Sequence, residues 1–332
     1  MSNNNKIAVI GGGSWATAIV KMLSNNVNPI GWWMRDPEQI SEICSTGRNP
    51  KYLSTVELKT AILDLRSEIS TIINDYGILI LAVPSAFLKG ALSGLPKECM
   101  KGKVVFSAIK GIVPENNTII GEFLHNQYDL EFEDIGVITG PCHAEEVALE
   151  KLSYLTVACQ DESKAKLVAS RLSCAYINVR VSDDIFGMEY AAVLKNIMAV
   201  ANGICNGLGY GDNFQAVLIS NGIKEINRFV DSVHPITRDI KSSAYLGDLL
   251  VTAYSRFSRN RTFGKLIGEG SSVQDAQQRM KMVAEGYYAV KCVVEVNKKY
   301  DVDMPITDAV HDILYNQASP ASTMGKLANI MW

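Results

Sequence analysis

Residues 8–19, AVIGGGSWATAI, open as a short apolar strand and close as a helix. Between the two lies Gly11-x-Gly13-x-x-Ala16, the G-x-G-x-x-G/A spacing of dinucleotide-binding turns. Each position has a steric reason. Gly11 permits the tight turn, Gly13 lets the backbone approach a pyrophosphate, and Ala16 lets the helix pack closely on the strand. The anion then rests on the free N–H groups at the helix N-terminus. Glycine spacing alone specifies little, but here it follows a strand, opens a helix and has a second strand behind it.

That second strand, PIGWWMRD at 29–36, ends in Arg35 and Asp36. An acid there suits the ribose of NAD, and an arginine suits the 2′-phosphate of NADP. Both cofactors stay open, with Arg35 leading directly off the strand in favour of NADP. Further out, short apolar runs punctuated by Gly and Pro predict strands at 77–83, 103–109, 135–139 and 153–158. Runs of this kind suit buried parallel strands, and strand–helix alternation predicts a doubly wound sheet. After about residue 185 strand signals almost vanish. Segments 187–207, 214–230, 245–257, 286–300 and 307–315 read as helices. The expected fold is therefore α/β, an N-terminal Rossmann-type doubly wound sheet followed by an all-helical C-terminal domain. The expected division is 1–187 for the dinucleotide and 188–332 for substrate and catalysis.

Composition narrows the function. A net charge of −3 argues against a general nucleic-acid binder while leaving room for a small basic pocket. No apolar run reaches the roughly 18–20 residues that span a bilayer. The start MSNNNKIAVI lacks the layout of a signal peptide. Seven cysteines, an odd number without a CxxC pair, speak against a disulfide framework or a zinc cluster. The four histidines are isolated, so no metal site is expected. The expectation is a reduced, cytoplasmic protein.

Eight segments taken together resemble one family, the bacterial NAD(P)-dependent glycerol-3-phosphate dehydrogenases. They are VIGGGSWATAI, LAVPS at 81–85, SAIKGI at 107–112, GPCHAEEVA at 140–148, VLKNIMAVANGICNGLGYGDN at 193–213, GDLLVTAYSRFSRNRTFG at 247–264, AEGYYAVK at 284–291 and MPITDAV at 304–310. The resemblance covers nearly the whole chain and keeps the family's order. It implies interconversion of dihydroxyacetone phosphate and sn-glycerol 3-phosphate, feeding phospholipid synthesis, with NADP(H) or NAD(H) as cofactor. It further implies a homodimer, a small phosphorylated substrate, and neither nucleic acid nor a membrane span.

Carried over by matched motif, Gly11, Gly13, Ser14, Trp15 and Arg35 fall on the nucleotide side. Lys110 lies near both cofactor and substrate. Gly140, Cys142 and Ala144 match the segment where substrate and nicotinamide approach. Lys195 matches the proton donor/acceptor. Asp248, Ser258, Arg259 and Asn260 match substrate-side positions, with Asn196 and Thr252 in the same strings. Arg259, Val283 and Glu285 also match cofactor contacts. Two departures matter: the fingerprint's third small residue is Ala16 where the family often has Gly, which the fingerprint tolerates, and the family's usual GPSFA is here Gly140-Pro141-Cys142-His143-Ala144. A thiol donates hydrogen bonds poorly, so contact at Cys142 could pass to its backbone.

The residues suit the implied chemistry. Reducing a ketone builds negative charge on its oxygen, which a cationic acid stabilises and then protonates. Lys195 sits mid-way in an apolar helix, where an unpaired ammonium is costly, and Asn202 and Asn206 share its face. Asp248 and Thr252, four apart, share a face of another helix, so Asp248 could pair with Lys195 while Lys110 lowers its pKa. Ser258-Arg259-Asn260-Arg261 reads as a loop offering guanidinium, hydroxyl and amide to a phosphate. His143 is set aside as structural. Two other classes compete. One is a two-domain dehydrogenase of similar plan acting on a hydroxyacyl thioester or sugar acid. The other is a nucleotide sensor without turnover.

Overall fold

A computed structural model describes residues 5–280 and 283–331. The chain divides into two compact units. One runs to Ile109 and resumes over Ile120–Ile185; the other takes Lys110–Ile119 and everything described from Phe186 onward. The ten-residue excursion out of the first unit has no signal in the strand–helix alternation.

The first unit is built on one eight-stranded sheet: β1 (Ile7–Ile10), β2 (Ile30–Trp33), β3 (Leu63–Arg66), β4 (Ile78–Leu81), β5 (Val104–Ser107), β6 (Ile135–Thr139), β7 (Ser153–Cys159) and β8 (Ile177–Ser182). Its order is β3-β2-β1-β4-β5-β6-β7-β8. The strands flanking β1 are β2 and β4, so the order reverses at β1, the switch point where open α/β sheets bind ligands. All residues of β1, β2 and β4 are buried, as expected of strands covered on both faces. Helices α1 (Ser14–Leu23), α2 (Pro37–Thr46), α3 (Ile69–Asp75), α4 (Ser85–Ala91), α5 (Ile120–Tyr128), α6 (Ala144–Ala148) and α7 (Glu162–Leu172) alternate with the strands.

The sheet departs from a fully parallel one. β6 and β7 pair antiparallel, Gly136 opposite Cys159 and Thr139 opposite Thr156, while β7 and β8 are again parallel. The reason lies in the connection. α6 is only five residues long, and the chain returns through a turn with Glu150 at φ 57°. The link over 140–152 spends only those five residues on helix, too little regular structure to carry the chain back along the sheet for a parallel pairing.

The second unit is helical: α8 (Ile185–Gly207), α9 (Asp212–Val233), α10 (Asp248–Tyr254), α11 (Arg259–Gly268), α12 (Val273–Arg279), α13 (Glu285–Asn297), α14 (Pro305–Tyr315) and α15 (Pro320–Ala328). α8 is mostly apolar, with Glu189, Lys195, Asn196 and Asn202 set into it, and is buried on all sides from Glu189 to Cys205, the pattern of a central helix. The helix expected over 245–257 is interrupted. A π-helical turn, Ser243–Gly247, precedes α10, which stops at Tyr254. The stretch read as a loop at 258–261 is instead the start of α11. Ser258 caps it, its hydroxyl accepting from the Arg261 N–H at 3.3 Å. Among the described residues no helix is long and apolar enough to cross a membrane.

Candidate active site

In the first unit the chemistry starts where β1 ends. Gly11 has φ +135°, and a Cβ there would stand 2.5 Å from the Ala82 carbonyl oxygen. Only glycine fits. Gly13 caps α1 without a side-chain hydrogen bond, and a Cβ on it would meet nothing within 4 Å. The backbone in front of α1 is therefore open on the side where the helix dipole draws anions. The turn is held rigid from behind. Gln39 and Asn49 donate to the Gly12 carbonyl at 2.8 and 3.1 Å, and Asn49 also donates to the Thr17 hydroxyl at 2.8 Å. The Trp32 indole donates to the Gly11 carbonyl at 2.7 Å. These features fit the pyrophosphate of a dinucleotide. Ser14 is buried and Trp15 half-buried, both in the first turn of α1.

At the end of β2, Arg35 is exposed. Asp36 is engaged elsewhere: it caps α2 by accepting from the Glu38 N–H at 3.0 Å and pairs with Lys51. The Lys51 ammonium beside it holds the Asp36 carboxyl below its ordinary range. Gly140, at φ +125°, ends β6, and a Cβ there would meet the Tyr154 carbonyl oxygen at 2.6 Å. Cys142 is buried. Its thiol donates to that same oxygen at 3.1 Å and its N–H to the Gly140 carbonyl at 2.8 Å. Ala144, the first residue of α6, is also buried.

The second unit gathers five of the expected residues into one bonded group. Lys195, on α8, is 3% exposed and forms an ion pair with Asp248 of α10, itself 1% exposed. Lys110 reaches the same carboxylate, at 3.2 Å to Oδ2 and 3.4 Å to Oδ1. Asn196 donates to the Lys110 carbonyl at 2.6 Å, and Thr252 donates to the Asp248 carbonyl at 2.6 Å.

Burial opposes the charges of Lys195 and Asp248. It drives the Lys195 ammonium down to about 7; Asp248 pulls the other way, and Lys110 adds to the fall. For Asp248 burial pushes the carboxyl upward, but Lys110 and Lys195 outweigh it and leave the group below its ordinary value. Asp248 thus stays ionised, and the buried Lys195 ammonium beside it gives up its proton more readily than an ordinary lysine. An amine poised near neutrality can both donate and accept a proton.

The remaining expected residues lie along α11 and α13. Arg259 is half-buried at the first position of α11 and meets no carboxylate among the described residues. Asn260 is 8% exposed, and its Oδ1 accepts from the Gly286 N–H at 2.9 Å, so the side chain caps α13. Glu285 opens α13 and is half-buried, as is Val283 before it. α11 and α13 both lie against α8 at backbone contact. A Cβ on Gly264 would stand 2.1 Å from the Val200 carbonyl oxygen, and one on Gly286 2.7 Å from that of Asn196. Among the described residues no cluster of His, Cys, Asp or Glu could hold a metal ion.

Asp184, Glu189 and Glu225 are buried charges outside the expected set, and Glu225 is the deepest of them. Glu225 on α9 is fully buried and accepts from the Ile306 and Thr307 N–H groups at 2.8 and 2.9 Å and from the Thr307 hydroxyl at 2.7 Å. It caps α14, whose first residue is Pro305. Burial pushes its carboxyl up to about 7 against those three donors. In the string IKEINRF it reads as an ordinary surface charge. The available signal was Pro305 opening a helix that lacks a polar cap of its own at Met304.

Comparison with known proteins finds two family matches, one for each half of the sequence. Residues 6–165 match the family described as NAD-dependent glycerol-3-phosphate dehydrogenase N-terminus, and residues 184–325 match the corresponding C-terminus. A glycerol-3-phosphate dehydrogenase [NAD(P)+] of Oceanobacillus iheyensis is 36% identical over 327 residues, 98% of this chain and 94% of that one. One from Staphylococcus carnosus is 33% identical, with 94% of each chain covered. The crystal structure of glycerol-3-phosphate dehydrogenase from Coxiella burnetii superposes with a TM-score of 0.90 at 27% identity, covering 98% of this chain and 99% of that one. The enzyme from Saccharomyces cerevisiae, at 24% identity and a TM-score of 0.78, covers 96% and 98% and shares the fold.

Proposed function

The chain belongs to the NAD-dependent glycerol-3-phosphate dehydrogenase family, and on that premise we propose that it reduces dihydroxyacetone phosphate to sn-glycerol 3-phosphate with Lys195 as proton donor. The family is one of oxidoreductases that use NAD(P)H and a small phosphorylated glycerol compound. The observation that carries the finer reading is the buried Lys195 ammonium sharing the Asp248 carboxylate with Lys110.

Bound NAD(P)H supplies a hydride to the ketone carbon. The protein's own part is orientation and proton handling. Lys195, held by Asp248, gives its proton to the oxygen as charge develops there, and Lys110 adds positive potential. Arg259, with the N-terminal N–H groups of the ten-residue α11 behind it, takes the substrate phosphate. That remote anchorage fixes the ketone for reaction. Ser258 and Asn260 support this end as caps of α11 and α13. Asn196 and Thr252 brace the Lys110–Asp248 pair. Gly140 and Cys142 offer backbone and thiol on the substrate side.

On the cofactor side the reading uses Gly11, Gly13, Ser14 and Trp15 at the turn, Ala144 at α6, and Val283 and Glu285 at α13. The first unit serves as dinucleotide domain and the second as substrate domain. Arg35 selects NADPH, supported by the engagement of Asp36 with Lys51 and the α2 N-terminus. Seven free cysteines suit a cytoplasmic enzyme whose product feeds phospholipid synthesis. Leu250 and Tyr254 on α10 and Phe257 in the turn after it, all exposed, offer an apolar surface for a homodimer. Light scattering at twice the chain mass would establish that assembly.

The deciding experiment is a steady-state assay of dihydroxyacetone phosphate with NADPH and NADH in parallel, wild type beside Lys195→Ala. Turnover by wild type and its collapse in the variant are expected. A variant with near-normal turnover would refute the assignment of Lys195.

A further inference from the structure

Two asparagines on α8 hold more than their own helix. Asn196 is 4% exposed and fastens the Lys110 carbonyl at 2.6 Å. Lys110 opens the strap Lys110–Ile119, which folds with the helical unit and closes on itself where Val113 pairs with Thr118. Asn202, two turns further on, is fully buried and donates to the Ala253 carbonyl of α10 at 2.8 Å. Its own Oδ1 has no hydrogen-bond partner among the described residues. A buried carbonyl left unpaired is a standing cost that a leucine of similar size would avoid.

The elements so fastened are the two that face Lys195 with charge. The strap brings Lys110, and α10 brings Asp248. Neither element is held by length. The strap is irregular, and α10 has seven residues, too few for a helix to persist alone. We infer that Asn196 and Asn202 are positioning residues, amide clamps that fasten the Lys110 strap and α10 to the helix of Lys195 and keep one carboxylate shared between two ammonium groups. This inference rests on the reading of Lys195 as proton donor.

The two clamps make opposite predictions. Loosening the strap removes a like charge from Lys195, so its pKa rises. Loosening α10 removes a counter-charge, so its pKa falls. The charged groups facing Lys195 are Asp248 and Lys110, so these two movements cover the local field. A role confined to stability would move neither limb in a directed way.

The test is the pH profile of kcat for reduction of dihydroxyacetone phosphate by the full-length enzyme with NADPH. Lys110→Met serves as reference and should carry the alkaline limb upward. Asn196→Ala should move it the same way, by roughly half a pH unit or more. Asn202→Leu should move it downward, with kcat reduced about tenfold; it removes the orphaned Oδ1 but deprives the buried Ala253 carbonyl of its donor, so thermal stability should change little or fall. A limb moved by Lys110→Met but by neither asparagine variant overturns the clamps and leaves the proton donor standing. Shifts of the same sign in both variants also overturn them. Should Asn196→Ala fail to fold, the downward shift in Asn202→Leu decides. Full turnover in Lys195→Ala would instead remove the reading beneath.

Discussion

The glycine turn after β1 and the bonded group on α8 solve opposite problems. The turn handles an anion with backbone alone: Gly11 and Gly13 supply shape, α1 supplies N–H groups and dipole, and no side chain caps it. On the proposed reading the α8 group handles a proton with side chains alone, Lys195 and Asp248 taken out of water with the partly exposed Lys110 beside them. Backbone recognition needs little more than small residues at set intervals. Proton transfer needs particular titratable groups and a dry setting that shifts them. The first is broken by adding a single methyl at Gly11, the second by removing a single charge.

The largest effect that would sharpen this contrast comes from Lys195→Ala. Turnover should fall about 10²- to 10⁴-fold while NADPH affinity, measured by fluorescence titration, stays nearly intact. Gly11→Ala should do the reverse. A methyl against the Ala82 carbonyl at a positive φ should weaken the dinucleotide roughly a hundredfold and lower stability by about 2 kcal/mol. If it bound NADPH normally, the turn would not be the anion site. Arg259→Ala should raise KM for dihydroxyacetone phosphate roughly 10- to 100-fold and leave dihydroxyacetone, which lacks the phosphate, unaffected.

The smallest effect is in pH. Reduction needs the Lys195 ammonium, so its rate should drop as pH rises through about 7, roughly tenfold per unit beyond. Oxidation needs the free amine and should rise across the same window. Stopped-flow rates in both directions check the sign, and a flat profile in both would contradict a titrating Lys195.

Much of the fold was legible because buried parallel strands write themselves as apolar runs. β1, β2, β4 and β5 show this plainly. β3 and β8 do not, and both are edge strands. LDLR is half-buried throughout, and INVRVS alternates with charge, so neither makes a continuous apolar run. The reversal between β6 and β7 was also hidden, since an apolar run carries no direction. In the site, Lys195 stood out as a charge inside an apolar helix, and Asp248 with Thr252 as a polar pair at helical spacing. Ser258-Arg259-Asn260-Arg261 was misread as a loop because its polar residues resemble one; the serine ahead of three helix-compatible residues was the missed cap. The sharing of Asp248 by Lys110 depends on contacts 138 residues apart in the chain, which no local pattern encodes.

The strap at 110–119 has a consequence for any division of the gene. A gene cut near residue 187 would hand one product the strap and the other the helices it folds with. The helical half, transplanted onto a foreign nucleotide module, would arrive without Lys110. A cut at that point therefore divides one folded unit between two products, and the boundary that looks simplest in the sequence is not the boundary of the fold.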